Sequence, residues 1–424
     1  MKRNVNVIGK RNYRTRVSVV FALFAATSIA LPAQTFNTIH SFDGTDGALP
    51  HAGLIQAGDG NLYGATEGGG AHQQGGTIFQ ITPSGALTTL YSFCSQSGCT
   101  DGENPYEGLV QASSGELYGT TYGGGANHLG TVFKITLSGT LTTLYSFCSQ
   151  SGCTDGEYPK GALVEAPNGE FYGTTSQGGA NDGSGTVFKI TPNGTLKTLY
   201  SFCAESGCAD GKAPGGLVQA ADGNFYGTTA TGGASERGCC GTVFTITPSG
   251  TLTTLHSFCA ASSCADGAAP VGGLIQASTG DFYGTTQDAG GDALGTVFKI
   301  TPGGELTTLH RFCFQKTGCT DGSYPNAGLV QGADGNFYGT TSFGGACAYP
   351  SGCGTIFQIA PSGALTTLHS FCSESNCADG EIPAAALVQA ANGDLYGTTN
   401  FGGAGIDRCS SGNGCGTVFS LSGF

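Results

Sequence analysis

The sequence predicts an all-β fold, a seven-bladed β-propeller of four-stranded antiparallel blades, and three observations predict it. The motif (L/F)-Y-G-(T/A)-T recurs seven times, with its tyrosine at 63, 118, 172, 226, 283, 338 and 396. Each copy is followed by G-T-(V/I)-F, beginning at Gly76, Gly130, Gly185, Gly241, Gly295, Gly354 and Gly416. Each is preceded by D-G-x-x-P, beginning at Asp46, Asp101, Asp155, Asp210, Asp266, Asp321 and Asp379. A spacing of 54 to 58 residues marks one supersecondary unit per repeat, and no segment carries a 3.6-residue apolar period.

Within the second unit each element follows from its residues. Residues 108–112 are a short apolar run, the first strand. Ser114-Gly115 makes a turn, where other units place Asp59-Gly60, Asn168-Gly169 or Asp222-Gly223. Asp-Gly and Asn-Gly favour two-residue hairpins in which both central residues have positive φ. Residues 116–121 form the second strand and 131–136 the third, rich in β-branched and aromatic side chains. Ser138-Gly139 turns the chain again, and 141–147 is the fourth strand. Apolar residues fall on both faces, Phe133 and Ile135 on one and Val132 on the other, so the sheet must be covered on both sides. Face-to-face stacking of such sheets around an axis is a propeller.

The phase of the repeat predicts how the ring closes. Residues 36–42 read as a fourth-type strand, and 417–422 as a third-type strand with no fourth after it. Pairing the two completes the seventh blade and removes two exposed edges. The propeller therefore spans 34–424. Residues 1–33 read as a signal peptide: six Lys and Arg, then an apolar run from Val17 to Leu31, too short for the ~20 residues of a membrane span.

The formal net charge is −13, and every basic residue of the leader leaves with it. The remaining chain is strongly acidic, which excludes nucleic acid and anionic lipid surfaces as partners. The eighteen cysteines come in local pairs: Cys94/Cys99, Cys148/Cys153, Cys203/Cys208, Cys259/Cys264, Cys313/Cys319, Cys372/Cys377, Cys347/Cys353, Cys409/Cys415 and Cys239/Cys240. Behind a signal peptide these read as disulfides that stiffen loops, worth about 2 kcal/mol each for such short loops. Their spacing and isolation do not suit zinc, and neither a metal nor another cofactor is expected. Cys239 and Cys240 could bridge each other or pair elsewhere.

The unit G-T-V-F-K-I-T-P-S-G-T-L-T-T-L-Y-S-F, then D-G-x-x-P, then G-L-V-Q-A-x-D-G-N-x-Y-G-T-T, resembles the GloVer tandem repeat of bacterial exported "choice-of-anchor" proteins. The resemblance runs from Phe36 to the C-terminus. It implies export and repeat class, as a secreted, periplasmic or cell-surface protein, and brings no catalytic residues. The chain departs from the pattern in having no C-terminal anchor, Leu137 where other turns have proline, Ala65 for threonine, and no cysteine pair in the first unit.

Antiparallel order sorts the loops. Tight uniform turns make one face; long, variable, cysteine-bearing connections make the other, where binding is expected together with the channel mouth. The candidate ligand-binding residues there are aromatic: Tyr106, Tyr158 and Tyr324 beside D-G-x-x-P, and Tyr122, Phe343, Tyr349 and Phe401 in the other loop set. His40, His256, His310 and His369 occupy the slot of Tyr91, Tyr145 and Tyr200, so they are structural. Only His51, His72 and His128 lie in variable loops and could be neighbours. The repeated aspartate is a calcium candidate, yet it lacks the EF-hand pattern, and turn capping explains its sevenfold recurrence. The glycine runs precede strands, not the helices a phosphate site needs. The expected function is a monomeric, non-catalytic binding or scaffold module for a glycan or an envelope protein. A lyase or hydrolase with a loop histidine–carboxylate site, and a structural envelope protein, are the alternatives.

Overall fold

The computed structural model describes Met1, 34–72, 75–234, 240–259, 263–289, 293–314, 318–345, 347, 353–404, 409 and 414–423. The expected signal peptide, Tyr349 and Cys239 lie outside these residues. Seven antiparallel sheets form a ring, a seven-bladed β-propeller. Blade 1 pairs Ile55–Gln56, Leu62–Thr66, Thr77–Ile81 and Leu87–Ser92 in order from the axis outward. Blades 2 to 6 occupy 110–146, 157–201, 212–257, 275–311 and 330–370. Blade 7 takes its inner three strands from 388–422 and its outer strand from Thr35–Ser41, which pairs with Thr417–Ser422 as expected.

The innermost strands are shorter than the sequence predicts, two residues in blades such as the second, Val110–Gln111. The tight turns also differ. Gly60 and Gly115 have positive φ, whereas the residues before them do not. Ala57 exchanges backbone bonds with Asn61 and Gly60, so one more residue joins the turn. That is the three-residue hairpin loop ending in a left-handed glycine, for which only the glycine must have φ above zero.

Each repeated motif has a contact that requires it. The threonines of Y-G-T-T and G-T-V-F meet as a buried hydroxyl pair in all seven blades, for example Thr121 and Thr131 at 2.8 Å. A side chain on Gly119 would put Cβ 2.7 Å from Phe133 Cζ, so the strand needs glycine where that ring crosses it. The terminal phenylalanine of each outer strand packs edge-on against the third-strand phenylalanine of the next blade, from Phe93–Phe133 at 5.3 Å to Phe371–Phe419 at 5.2 Å. Each such pair adds about 0.5–1.5 kcal/mol beyond its buried area.

Docking between blades joins the other two motifs. The glycine of G-T-V-F lies against the proline of the next D-G-x-x-P, as Gly130 does against Pro159. The residue before that proline holds positive φ in all seven blades: Leu49, Asn104, Tyr158, Ala213, Ala269, Tyr324 and Ile382. Its N–H donates to the preceding blade, as Tyr158 does to the Leu129 carbonyl at 2.9 Å. Gly416 against Pro50, and Leu49 N–H to the Cys415 carbonyl, repeat this at the closure.

Eight of the expected disulfides are present. Six follow the outer strands: Cys94–Cys99, Cys148–Cys153, Cys203–Cys208, Cys259–Cys264, Cys313–Cys319 and Cys372–Cys377. Cys347–Cys353 and Cys409–Cys415 lie in the other loop set. Cys208 and Cys319 correct the expectation that these cysteines only stiffen surface loops. Both are buried, and both hold positive φ, at 57° and 35°. Cys208 ends a single 3-10 turn, Ser206–Cys208, within a chain read as strands and turns alone. Its carbonyl accepts from the Gly211 N–H at 2.9 Å and the Gly233 N–H at 3.0 Å. The Cys319 carbonyl does the same for Gly322 at 3.0 Å and Gly345 at 2.9 Å. The reason is geometric: the left-handed backbone at the second cysteine turns its carbonyl inward, under the glycine pair of the neighbouring loop. The Cys208 and Cys319 carbonyls thus join the loop between two blades to the glycine loop of the second. Among the described residues no helix is long and apolar enough to cross a membrane.

Candidate functional site

The segments that follow the seven D-G-x-x-P motifs converge on the ring axis and enclose a cavity of about 580 Å³ lined by residues from every blade. That volume falls in the roughly 300–1,000 Å³ range of small-molecule sites. Its wall is uneven. The residue following the motif proline is His51, Tyr106 and Lys160 in blades 1 to 3, then Gly215, Val271, Asn326 and Ala384 in blades 4 to 7. The residue following Y-G-(T/A)-T is Glu67, Tyr122, Ser176, Ala230, Gln287, Ser342 and Asn400 around the ring.

His51 is the centre of the polar side. Its Nε2 lies 3.5 Å from Glu67 Oε2, its ring stacks on Tyr106 at 4.5 Å, and the buried Asn400 amide reaches Nε2 at 3.0 Å. The same amide lies 3.3 Å from Nδ1, so both ring nitrogens are within its reach. Burial favours the neutral imidazole and pushes the His51 pKa down to about 4. Burial, then the charges of Glu107 and Glu67, push Tyr106 up to about 12. Glu67 is raised by desolvation. So is Glu107, although Lys160 and the Gly161 N–H work against the shift. Burial therefore disfavours charge on His51, Glu67, Tyr106 and Glu107.

The predicted aromatics divide. Tyr106, Tyr122 and Tyr158 come together: Tyr122 stacks on Tyr158 at 4.8 Å and lies 6.3 Å from Tyr106. With His51 they form a row of four rings from the cavity wall to the rim, where Tyr122 is 37% exposed. The row departs from a sugar platform of free faces. Stacking of His51 on Tyr106, and of Tyr122 on Tyr158, covers one face of each ring and leaves edges, hydroxyls and outer faces. Tyr324 and Phe343 meet each other at 5.6 Å in blade 6, and Phe401 pairs through its backbone with Glu381 in blade 7. His72 and His128 are exposed loop residues. The other four histidines each bind the repeated aspartate, as His40 binds Asp46 at 2.8 Å.

That aspartate is a latch. Asp101 accepts from Tyr91 Oη at 2.8 Å and from the Ser95 N–H and Oγ at 2.9 Å, wholly buried. Its oxygens are spent on capping the cysteine loop. The groups of three sulfur or carboxylate donors that lie close together, such as Cys94, Cys99 and Glu103, all contain disulfide sulfurs. A disulfide sulfur is not the thiolate a metal takes.

Sequence reasoning missed Glu67, Glu107, Lys160, Gln287, Asn326 and Asn400. A signal for them was there: Lys160 and Asn326 follow the motif proline, Glu107 stands one residue further on, and Glu67, Gln287 and Asn400 follow Y-G-(T/A)-T, positions that vary from unit to unit.

Fold and mouth together define a disulfide-rich seven-bladed propeller with a polar axial cavity. The sequence pattern of the Gloeobacter/Verrucomicrobia repeat matches residues 22–239 and 205–419, and the chain belongs to that family. No curated protein matches it. Among solved structures it is similar to the extracellular domains of two hybrid two component systems of B. thetaiotaomicron. The first shares 15% identity at TM-score 0.53 over 91% of this chain and 41% of that one. The second shares 10% at TM-score 0.53 over 92% and 40%. The chain thus spans about two fifths of their length. A periplasmic gluconolactonase of Pseudomonas aeruginosa shares 18% at TM-score 0.48 over 75% of this chain and 84% of that one.

Proposed function

We propose that the chain is an exported, monomeric binding module whose ligand is a neutral glycan held in the axial cavity against blades 1 to 3. The observation that carries this is the cavity wall itself. His51, Tyr106, Glu107, Lys160, Gln287 and Asn326 offer donors and acceptors from several directions in a space that disfavours net charge. A ligand that answers all of them needs many hydroxyls and no charge, which describes a sugar. The acidic chain also repels anionic glycans. Eight disulfides support an oxidising compartment, whether periplasm, cell surface or medium.

The test is thermal unfolding of the oxidised protein against a panel of neutral and acidic oligosaccharides, with and without EDTA. A ligand at 100 times its Kd adds about 2.7 kcal/mol and raises the midpoint by a few degrees. Glu107→Gln and Tyr106→Ala should remove that shift. No shift with any neutral sugar overturns the reading.

A second reading has one observation in its favour. His51 beside Glu67 in a cavity is the pairing that acid–base catalysis uses. Slow conversion of a bound sugar, lost in His51→Gln while binding persists, would make the module a lyase or hydrolase.

A further inference from the structure

The geometry points to recognition of the end of a glycan chain, with the rim tyrosines holding the next unit; this rests on the glycan reading above. The cavity is bounded by all seven blades, so no side of it is open. A groove admits the middle of a polymer, because the chain can lie along it. A well closed by a ring can be entered only along the axis, and a polymer reaches the groups in its wall by inserting an end. About 580 Å³ is the room of a small-molecule site and suits a short oligosaccharide.

The way out is marked on one side. His51 and Tyr106 line the cavity, while Tyr122 and Tyr158 stand beyond its wall. Tyr122 is 6.3 Å from Tyr106 and stacks on Tyr158 at 4.8 Å, with more than a third of its surface exposed. A chain leaving the cavity on the side of blades 2 and 3 passes the outer faces and hydroxyls of this pair. On the other side the wall offers Gln287 and Asn326 between Gly215, Val271 and Ala384, with no charged side chain among these. The wall thus supplies an inner subsite for the terminal units and an outer one for the unit that follows.

The experiment uses the whole oxidised protein and calorimetric titration. The probes are linear malto-, cello-, xylo-, manno- and chito-oligosaccharides of increasing length, cyclomaltohexaose as a ring without ends, and the parent polymers. For any series that binds, affinity should climb with length and then level off once cavity and rim are filled. The intact polymer should titrate in proportion to its chain ends rather than its mass. Borohydride reduction should abolish binding if the reducing end enters, and enzymatic capping of the opposite end should abolish it otherwise. Tyr122→Ala, at an exposed position, should weaken the longer oligomers roughly five- to tenfold and leave the shortest binder unchanged. Cyclic or internal segments that bind as well as linear ends would overturn the inference while the glycan reading stands. Failure of every series to bind would remove both.

Discussion

In blades 1 to 3 the outer-strand ring that meets the repeated aspartate is tyrosine: Tyr91, Tyr145 and Tyr200. In blades 4 to 7 it is histidine: His256, His310, His369 and His40. The same division runs around the mouth. The tyrosine half carries His51, Tyr106, Glu107 and Lys160, whereas the histidine half carries mostly glycine and alanine. Both halves keep the threonine pair, the phenylalanine contact and the glycine–proline docking. What is common to seven blades holds the ring together, and what differs between the halves is free to serve a ligand. Variation at the positions that follow the motif proline and Y-G-(T/A)-T is therefore the mark of the site.

The largest expected effect tests the common part. A side chain on Gly416 would strike the Thr399 carbonyl and come within 2.6 Å of Pro50 Cδ, at a residue with φ of 94°. Gly416→Val should cost about 3 kcal/mol or more by forcing the closing blades apart. Gly115, with φ of 88° and open space around it, should tolerate alanine for about 1 kcal/mol. Urea unfolding of both variants measures the gap. Equal costs would mean that blade docking contributes little.

The next effect separates the two kinds of latch. Burial alone would raise the pKa of Asp379; bonds from His369, Ser373 and backbone N–H groups outweigh it and hold the carboxyl below its ordinary value. A depressed carboxylate lends stability above its unfolded pKa and loses it as pH falls through the folded one. Asp379→Ala, which strips a wholly buried carboxylate from its donors, should cost about 2–4 kcal/mol at neutral pH and less in acid below the ordinary carboxylate range. Denaturation midpoints across that range check it, and a cost independent of pH would sink the ionic account of the latch.

His51 sharpens the comparison in a different pH window. Its folded pKa of about 4 lies below the ordinary 6.5, so the unfolded chain takes up the proton first. Stability is then fully present above about pH 6.5 and declines toward pH 4, by at most about 1.4 kcal/mol per pH unit. His51→Gln should flatten the stability curve between those limits. A curve that keeps its slope would show that His51 is not held neutral.

Much of this was legible in advance because a repeat supplies its own internal control. Seven copies fixed the strands, the ring and the swap of the N-terminal strand, and eight cysteine pairs followed from local spacing. The inward turn of Cys208 and Cys319 did not, since spacing shows which sulfurs can meet and not where a carbonyl points. The inner strands and the three-residue turns were hidden for a similar reason: each depends on which backbone groups meet, and Ser114-Gly115 suits either turn. The site was half legible. Tyr106, Tyr122 and Tyr158 stood out as aromatics, but Glu67 and Asn400 lie 333 positions apart in sequence and meet His51 only because the ring closes. Lys160 and Glu107 looked like ordinary loop charges until the convergence of the blades on the axis set them in one cavity wall.

The smallest effect lies directly beneath the site. Thr228, Thr285, Thr340 and Thr398 each donate to a carbonyl in the segment that leads into the inner strand of the next blade, as Thr285 does to Ala327 at 2.8 Å. Blade 1 has Ala65 in that place, fully buried, facing the segment that bears Tyr106 and Glu107. Ala65→Thr should restore the bond, to the Glu107 carbonyl, and stabilise the fold by about 0.5–1.5 kcal/mol. If the missing hydroxyl is what lets this segment adjust around a ligand, the same substitution should weaken binding of the glycan found in the panel. A more stable protein with unchanged affinity would instead make Ala65 a neutral departure from the repeat, and would leave the two variable slots as the whole difference between the halves of the mouth.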